Sequence, residues 1–504
     1  MKIFKTGFST WENKHETFVQ KIKDLYELGN DPNLGALDGY NDTTKGLQGL
    51  IAEAIANNIP LRALGAGWSW TKIATADEGI MIDTKPLNTV FDISPQSVVP
   101  AYKGDAAKLF LAQCGNGVWE INKFLQTRNL SLKTTGASNG QTIAGVIATG
   151  AHGSAFDVGA VQDFVVGLHI IVSPTRHIWL ERASYPVVAT SFIQNLQTEL
   201  VQDDDLFNAA LVSLGSFGII HGVMIETEEI FLLESYMQRM PFDASLRTIM
   251  ETLDFSTAGL PCGNERPFHF AVSINPYDIE GGAYVTTMYK RPYKAGYAPP
   301  VRNLNGIGPG DDAAVFVGNL TQAIPALVPT LVTKLLAGAM TPYSKQFGVV
   351  GEIFDNTTLH GKLLSAAIGI SIADVNKVTG LMLDINKTDG PFVGLFAYRF
   401  VKKSKATLAF TRFDYTCVFE LDAAFSDDTY TFYSKVWKML EDEGIAFTFH
   451  WGKVNELDFG RITNMYGAGA EAWIAARNKL LDTDDVRKVF TNATITKWGL
   501  DKVV

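Results

Sequence analysis

Two glycine-bearing stretches decide the fold: Arg62-Ala-Leu-Gly-Ala-Gly-Trp-Ser-Trp70 and Thr142-Ile-Ala-Gly-Val-Ile-Ala-Thr-Gly-Ala-His-Gly-Ser154. The first follows a short strand pattern, and the second lies in a segment, 134–154, that holds five glycines. Backbone without a Cβ can approach a ligand closely and turn successive N–H groups toward an anion. One such turn means little, but two loops about 70 residues apart predict a diphosphate-binding site.

The pattern around these loops is of mixed helices and strands. Asp42 to Asn58 has helical periodicity with Asp42, Thr43 or Thr44 available as caps, and Leu214-Gly-Ser-Phe-Gly218 is a tight entry to a strand over 219–227. The first loop is not GxGxxG and no helix pattern follows it, which disfavours a nicotinamide dinucleotide-binding fold.

After about Glu229 the pattern changes to strands with period-two alternation. From Val393 to Val401, Arg399 is the single charge on an otherwise apolar strand face. A second strand pattern, Ala409 to Glu420, places Thr416 and Glu420 on one face. An arginine on an apolar face needs a partner or a cavity, so a purely structural ion pair with a distant acid remains open for Arg399.

Composition excludes some partners and favours one compartment. With 43 Lys plus Arg against 53 Asp plus Glu the net charge is −10, which argues against nucleic acid. The three cysteines, Cys114, Cys262 and Cys417, form no CxxC pair, and the scattered histidines suggest no metal site. The N-terminus lacks the apolar stretch of a secretory signal, so a cytoplasmic location is expected.

One long apolar region, Ala313 to Met340, contains Lys334 and two internal prolines, which makes it a poor membrane span. It favours a buried or cap helix. A membrane-surface patch or a gate to an apolar substrate stays open for this region.

The chain resembles the vanillyl-alcohol-oxidase-type flavoproteins, and within them the aldonolactone and alditol oxidase branch. The resembling stretches occur in the family's order: 62–69, 142–154, 214–223, His450-Trp-Gly-Lys453 and Val489-Phe-Thr-Asn492. The resemblance implies an α+β fold, with a two-subdomain α/β FAD-binding domain (PCMH-type) at 1–228. An antiparallel-sheet substrate (cap) domain would follow at 229–455, and a C-terminal segment, 456–504, would return to the FAD domain.

The same resemblance implies which residues bind FAD. They are Leu64, Gly65, Ala66, Gly67, Trp68, Ser69, Thr135, Gly136, Ala137, Ser138, Thr142, Gly145, Thr149, His152, Gly153, Ser154, Gly218, Ile219, Val223 and Asn492. Several family members bind FAD covalently through a histidine at the position of Trp68, and others through a second-loop cysteine that is also missing here. We therefore expect non-covalent FAD.

Three residues are candidates for the chemistry. The resemblance implies that Lys453 lies beside the flavin, where an ammonium would stabilise the reduced cofactor, and that Arg399 positions substrate. His450 either packs structurally or contacts flavin or substrate. Alditol oxidase-like members carry a Glu-x-Arg pair on this strand, whereas here the strand reads Ala397-Tyr-Arg399, so the carboxylate is expected to be lost.

These features predict an FAD-dependent oxidoreductase that oxidises a C–OH group of a sugar, polyol, aldonolactone or related alcohol. Gly136 stands where a glycine distinguishes oxidases from dehydrogenases in the sugar-lactone branch, which favours O2 as acceptor and H2O2 as product, unless Gly136 merely serves a turn. A dehydrogenase, a sterol-type oxidase on the same fold and a non-catalytic flavin-binding protein are the alternatives.

Overall fold

The computed structural model describes residues 1–256, 258–301, 325–355 and 362–503. In the first part the strands are β1 (Lys2–Lys5), β2 (Thr10–Glu12), β3 (Val19–Lys21), β4 (Asp24–Gly29), β5 (Leu61–Leu64), β6 (Ile80–Asp83), β7 (Val90–Asp92), β8 (Leu109–Gln113), β9 (Leu130–Ser131), β10 (Val165–Ile171), β11 (His177–Glu181), β12 (Glu199–Gln202), β13 (Ile219–Glu226) and β14 (Glu228–Glu229). The helices are α1 (Ala36–Asn57), α2 (Val118–Gln126), α3 (Ile143–Thr149), α4 (Thr190–Leu196) and α5 (Asp204–Leu211).

Ten of these strands form two sheets that share one apolar core, while β2 pairs with β3 and β9 pairs with β14. The first has the order β1-β4-β6-β5, parallel from β4 to β5, and the second the order β12-β11-β10-β13-β8-β7. The core lies between α1, α3 and the inner faces of both sheets, where Ile51, Ile82 and Ile147 are fully buried. The first glycine loop leaves the end of β5 and so lies at the edge where the two sheets meet the second loop.

The second part is one antiparallel sheet with helices. Its strands are β15 (Phe231–Met240), β16 (His269–Ile274), β17 (Ala283–Pro292), β18 (Tyr343–Gly348), β19 (Leu363–Ser371), β20 (Gly394–Lys402), β21 (Tyr415–Ala424) and β22 (Phe447–Phe449). Its helices are α6 (Ala244–Thr252), α7 (Val328–Ala339), α8 (Val350–Ile353), α9 (Val375–Thr388) and α10 (Asp427–Asp442). The strand order is β18-β15-β17-β16-β20-β21-β19-β22.

The two faces of this sheet pack differently. On β20, Phe396, Tyr398 and Phe400 join the main core with α9 and α10. The alternate residues Leu395 and Ala397 join a smaller apolar cluster formed with α7. Because successive strand side chains point to opposite faces, Arg399 lies on the same face as Ala397.

The last helices return to the first part of the chain. They are α11 (Phe459–Tyr466), α12 (Ala468–Leu480), α13 (Asp484–Val489) and α14 (Ala493–Lys497). The Trp473 indole N–H donates to Val212 O at 2.9 Å, and Arg477 Nε donates to Ser216 O at 3.1 Å. The C-terminal segment thus supports the loop 212–218 that precedes β13.

Two element boundaries differ from the sequence expectation. Helix α1 begins at Ala36, so Asp42, Thr43 and Thr44 are inside it and cap nothing; the two threonine hydroxyls bond back to Tyr40 O. The strand expected from Ala409 begins at Tyr415 instead, because 409–414 turn away from the sheet, where Lys403 N donates to Asp414 O.

The long apolar region is only partly described. Residues 313–324 lie outside the described residues, while α7 packs Val328, Val332 and Leu336 against the sheet face that carries Ala397. None of the described helices combines the length and apolar character needed to cross a membrane.

Candidate active site

A large cleft runs between the glycine loops of the first part and the loop after β22. Its empty space is about 1290 Å³, part of it open to solvent. The walls come from the segment 62–70, the second loop and α3, the loop before β13, and His450, Gly452 and Lys453. Four of the five resembling stretches, all except 489–492, therefore meet at one cleft, although they are up to about 390 residues apart.

All six residues predicted in the first loop, Leu64 to Ser69, line this cleft. Gly67 has φ +72°, a conformation that favours glycine. Gly65 is required for a different reason, since a Cβ there would collide with the Thr142 hydroxyl of the second loop. The two loops are thus in direct contact.

The second loop divides into a cleft-lining part and a supporting part. Ser138, Thr142, Gly145 and Thr149 line the cleft, and the Oγ atoms of Ser138 and Thr142 are buried with no hydrogen-bond partner in the described protein. Unpartnered buried hydroxyls on a cavity wall indicate a polar ligand.

The other predicted second-loop residues do not line the cleft. They are Thr135, Gly136, Ala137, His152, Gly153 and Ser154. Gly153 packs closely against Thr135 O, and the Ser154 hydroxyl donates to Phe270 O and accepts from Phe400 N. Ser154 therefore connects the second loop to the cap sheet rather than facing the cleft.

Four further predicted residues belong to the start of strand β13 and to the C-terminal segment. Gly218 lines the cleft with φ +102°. Ile219 and Val223 are buried in the main core and do not line the cleft, whereas Ile220 packs on the same core and also lines the cleft. Asn492 caps α14 and donates to the carbonyls of Lys72, Ile73 and Thr75. Ile219, Val223 and Asn492 therefore do not lie on the cleft wall, and their part in FAD binding stays a prediction. Asn492 bonds to the chain that follows the first loop.

A buried arginine, Arg62, lies at the cleft wall. It is 2% exposed and donates to main-chain carbonyls, including Gly215 O at 2.8 Å and Ile73 O at 2.6 Å, and it forms no ion pair with any described carboxylate. Burial, together with the charge of Arg477, lowers its pKa to about 9. A cation without a counter-charge beside a cleft favours an anionic ligand.

Four charged or titratable side chains meet at the other end of the cleft. Glu420 Oε1 lies 3.1 Å from Lys453 Nζ, and Glu420 Oε2 lies 3.0 Å from Arg399 Nε. His152 Nε2 is 4.0 Å from Glu420 Oε1. All four side chains are nearly inaccessible, at 3–11% exposure. Lys453 belongs to both the cleft wall and this cluster.

The protonation states follow from burial and charge. Burial raises the pKa of Glu420, but the charges of Arg399 and Lys453 outweigh it and hold this pKa below its usual range. Burial lowers the pKa of His152 to about 4 and that of His450 well below its usual range. At neutral pH the cluster therefore holds an ionised Glu420 and a neutral His152, and the nearby His450 is neutral as well.

The histidine tautomers are set by main-chain bonds. His152 Nδ1 lies 2.9 Å from Gly153 O, so Nδ1 carries the proton and Nε2 presents its lone pair toward Glu420. His450 Nδ1 accepts from Gly452 N at 3.0 Å, which fixes the loop that carries Lys453.

The sequence predicted that the substrate site has lost the carboxylate next to Arg399, but the structure places Glu420 there. Position 397 is indeed alanine, but strands β20 and β21 pair with Ala397 directly opposite Glu420 and Arg399 opposite Val418. Directly opposed residues share a sheet face, so Glu420 provides a carboxylate beside Arg399 from the neighbouring strand. The alternation of residues in the sequence placed Glu420 on one face of its strand, but it did not show which residue of the neighbouring strand lies beside Glu420.

The cleft fits FAD on structural grounds alone. It has open space of dinucleotide size, two hydroxyls and one buried cation that no described residue pairs, and close-packed glycine loops. With a charged cluster at one end, these features suit a dinucleotide redox cofactor such as FAD.

Comparisons with known proteins agree. A family model described as an FAD binding domain matches residues 40–179. L-gulonolactone oxidase 3 from Arabidopsis thaliana is 23% identical over 90% of this chain and 79% of its own length. L-gulono-1,4-lactone dehydrogenase from Mycobacterium tuberculosis is 25% identical over 60% of this chain and 59% of its own length.

A solved structure supports the fold. Cholesterol oxidase from B. sterolicum superposes with a TM-score of 0.70 over 99% of this chain and 97% of its own, at 15% identity. The chain therefore contains an FAD binding domain, and it is similar to flavoproteins of the aldonolactone oxidase-like branch.

Proposed function

We propose that this enzyme oxidises a C–OH group of a sugar lactone or a related polyol and passes the electrons to O2, which gives H2O2. The observation that carries the proposal is the buried cluster of Lys453, Glu420 and Arg399 at the end of the FAD cleft. The curated relatives that are named for lactones support the substrate class. FAD, when bound, supplies the two-electron acceptor for the reaction.

The chain's own residues would bind the alcohol and accept its proton. Arg399 and Lys453 are donors for substrate oxygens, while ionised Glu420 and neutral His152 Nε2 are both acceptors. The two acceptor atoms are 4.0 Å apart, so one hydroxyl lying beside both could donate to either. His152 is the stronger base of the two, because the two cations stabilise the charged form of Glu420.

A second candidate substrate is a bulkier apolar alcohol. Beyond Ala397 the same sheet face is covered by Leu395, Leu363 and the apolar side of α7, with Trp70 packed against this cluster. Such surroundings suit a substrate whose remote part is apolar. This alternative changes the substrate and leaves the roles of the charged cluster unchanged.

One experiment separates these proposals. Purified FAD-loaded protein is mixed anaerobically with sugars, aldonolactones, polyols and sterols, and the visible flavin band is followed. Bleaching by a lactone or polyol supports the first proposal, and bleaching by a sterol alone supports the second. Lys453→Met should bind FAD yet slow the bleaching about 100-fold, a barrier increase of about 2.7 kcal/mol. A protein that no alcohol bleaches would contradict both.

A further inference from the structure

The N-terminal hairpin of β2 and β3 lies on the first glycine loop, although nothing in its sequence marks it as part of the FAD site. Three donors in its connecting segment bond three consecutive carbonyls of the loop. Lys14 N–H donates to Gly67 O at 2.8 Å, His15 Nε2 to Trp68 O at 2.8 Å, and Asn13 Nδ2 to Ser69 O at 3.1 Å. The hairpin therefore fixes the orientation of three successive peptide groups.

The hairpin side chains that make these bonds are rigidly held. Asn13 and His15 are 2% and 1% exposed. Asn13 Oδ1 accepts from Thr17 N at 2.9 Å, and the His15 ring stacks on Trp70 with centroids 3.6 Å apart. This is a built contact rather than a surface association, since each donor is buried and has a second interaction that orients it.

Gly67 permits the hairpin to come this close. A Cβ at position 67 would lie 2.9 Å from the Trp11 ring, nearer than real Cβ contacts allow. The left-handed φ of Gly67 thus serves the outer side of the loop as well as the cleft side.

The orientation of these carbonyls determines what the cleft side of the loop presents. In a trans peptide the C=O and the following N–H point in opposite directions. With the carbonyls of Gly67 and Trp68 directed at the hairpin, the N–H groups of Trp68 and Ser69 point the other way, and both residues line the cleft. Neither N–H has an acceptor within the part of the chain that is described, whereas the next one, Trp70 N–H, donates to Gly452 O at 2.8 Å.

We propose that the segment Asn13 to His15 is the outer half of the FAD site. Asn13 and His15 are positioning residues: they hold two main-chain N–H groups turned toward the cleft, where an anionic group of FAD accepts them, and so set FAD affinity without touching FAD. Two adjacent main-chain N–H groups on a cleft wall, with no acceptor among the described residues, form a nest for an oxyanion. The inference depends on FAD binding and is independent of the substrate proposed above.

The test measures FAD affinity directly. Apo-protein is titrated with FAD, the quenching of flavin fluorescence gives Kd, and the thermal midpoint of each apo-protein is recorded. His15→Ala and Asn13→Asp each remove one donor to the loop, and each should raise Kd about five- to tenfold, with about 30-fold or more for the pair. His15→Gln, which retains an N–H donor, should recover part of the loss.

Glu12→Ala is the matched control. Glu12 is exposed on β2 of the same hairpin and makes none of the three bonds to the loop, so the Kd of this variant should stay within twofold of the parent. An unchanged Kd in both donor variants would overturn the proposal. This holds even if the apo-proteins of the two variants melt at a lower temperature, because a hairpin that only stabilises the fold would lower the thermal midpoint without changing the Kd. If His15→Ala does not fold, the Kd of Asn13→Asp is compared with that of His15→Gln. A Kd that is raised in Asn13→Asp and closer to the parent value in His15→Gln supports the proposal, and an unchanged Kd in Asn13→Asp overturns it.

Discussion

Replacing Glu420 by glutamine should cost this protein much of its stability as well as its activity. Glu420→Gln keeps the side-chain volume but removes the negative charge that lies 3.0 Å from Arg399 and 3.1 Å from Lys453. At an effective dielectric constant of about 20, each of these attractions is worth about 5 kcal/mol. Burying the carboxylate opposes them by several kcal/mol, and that opposing term also disappears on substitution. The net loss expected is about 3–5 kcal/mol, because two buried cations then face each other without a counter-charge.

The assay is equilibrium unfolding of the apo-protein in urea at pH 7.5, followed by tryptophan fluorescence. The variant Glu420→Gln is compared with Arg399→Met and with the double variant. Removing Arg399 in the Glu420→Gln background should recover at least about 2 kcal/mol, since it relieves the uncompensated charge. A loss below about 1 kcal/mol for Glu420→Gln, or additive effects in the double variant, would refute the reasoning that this carboxylate is ionised and holds both cations.

Two more predictions concern the stability of the protein at low pH and the reactivity of a Gly136 variant with O2. Burial lowers the pKa values of His152, His221 and His269 to about 4, 3 and 3. Between pH 6.5 and 4 the unfolded chain therefore binds more protons than the folded chain, and the free energy of unfolding falls as the pH falls. For three histidines the slope is up to about 4 kcal/mol per pH unit. Thermal midpoints from pH 7.5 to 4.5 check this, with His221→Gln reducing the slope; a flat profile would contradict it. Gly136→Ala should fold normally, because the added Cβ would lie at an ordinary contact distance, 3.5 Å, from Ser138 O. The variant should reoxidise with O2 about tenfold more slowly but still react with an artificial electron acceptor. Unchanged reactivity with O2 would rule out a role of Gly136 in controlling oxygen access.

Much of the site was accessible from sequence because glycine loops and their order carry local chemistry. The structure brings the loop at 64–69 and Lys453 to the wall of one cleft, and Arg399 lies close by, bonded to Glu420. Their roles toward FAD and substrate stay predictions. Ile219 and Val223 are buried in the core and do not line the cleft, because the sequence motif does not show which residues of a strand face a cavity.

The features that sequence reasoning missed depend on contacts between distant segments. Whether Glu420 faces Arg399 is set by the register between β20 and β21, and no local pattern contains a register. The hairpin at Asn13 to His15 lies more than 50 residues from the loop that it supports. Arg62 could have been suspected as a charge within a strand pattern, but only the three-dimensional structure shows that no described carboxylate pairs with it.

The cross-strand position of Glu420 means that the carboxylate beside Arg399 does not have to come from the arginine's own strand. The family resemblance implies a carboxylate at position 397, two residues before the arginine, whereas here Glu420 stands opposite that position on the next strand. Directly opposed residues share a sheet face, so a carboxylate on either strand could balance the same two cations. Two proteins can therefore have equivalent buried ion pairs although only one of them shows the Glu-x-Arg motif in its sequence.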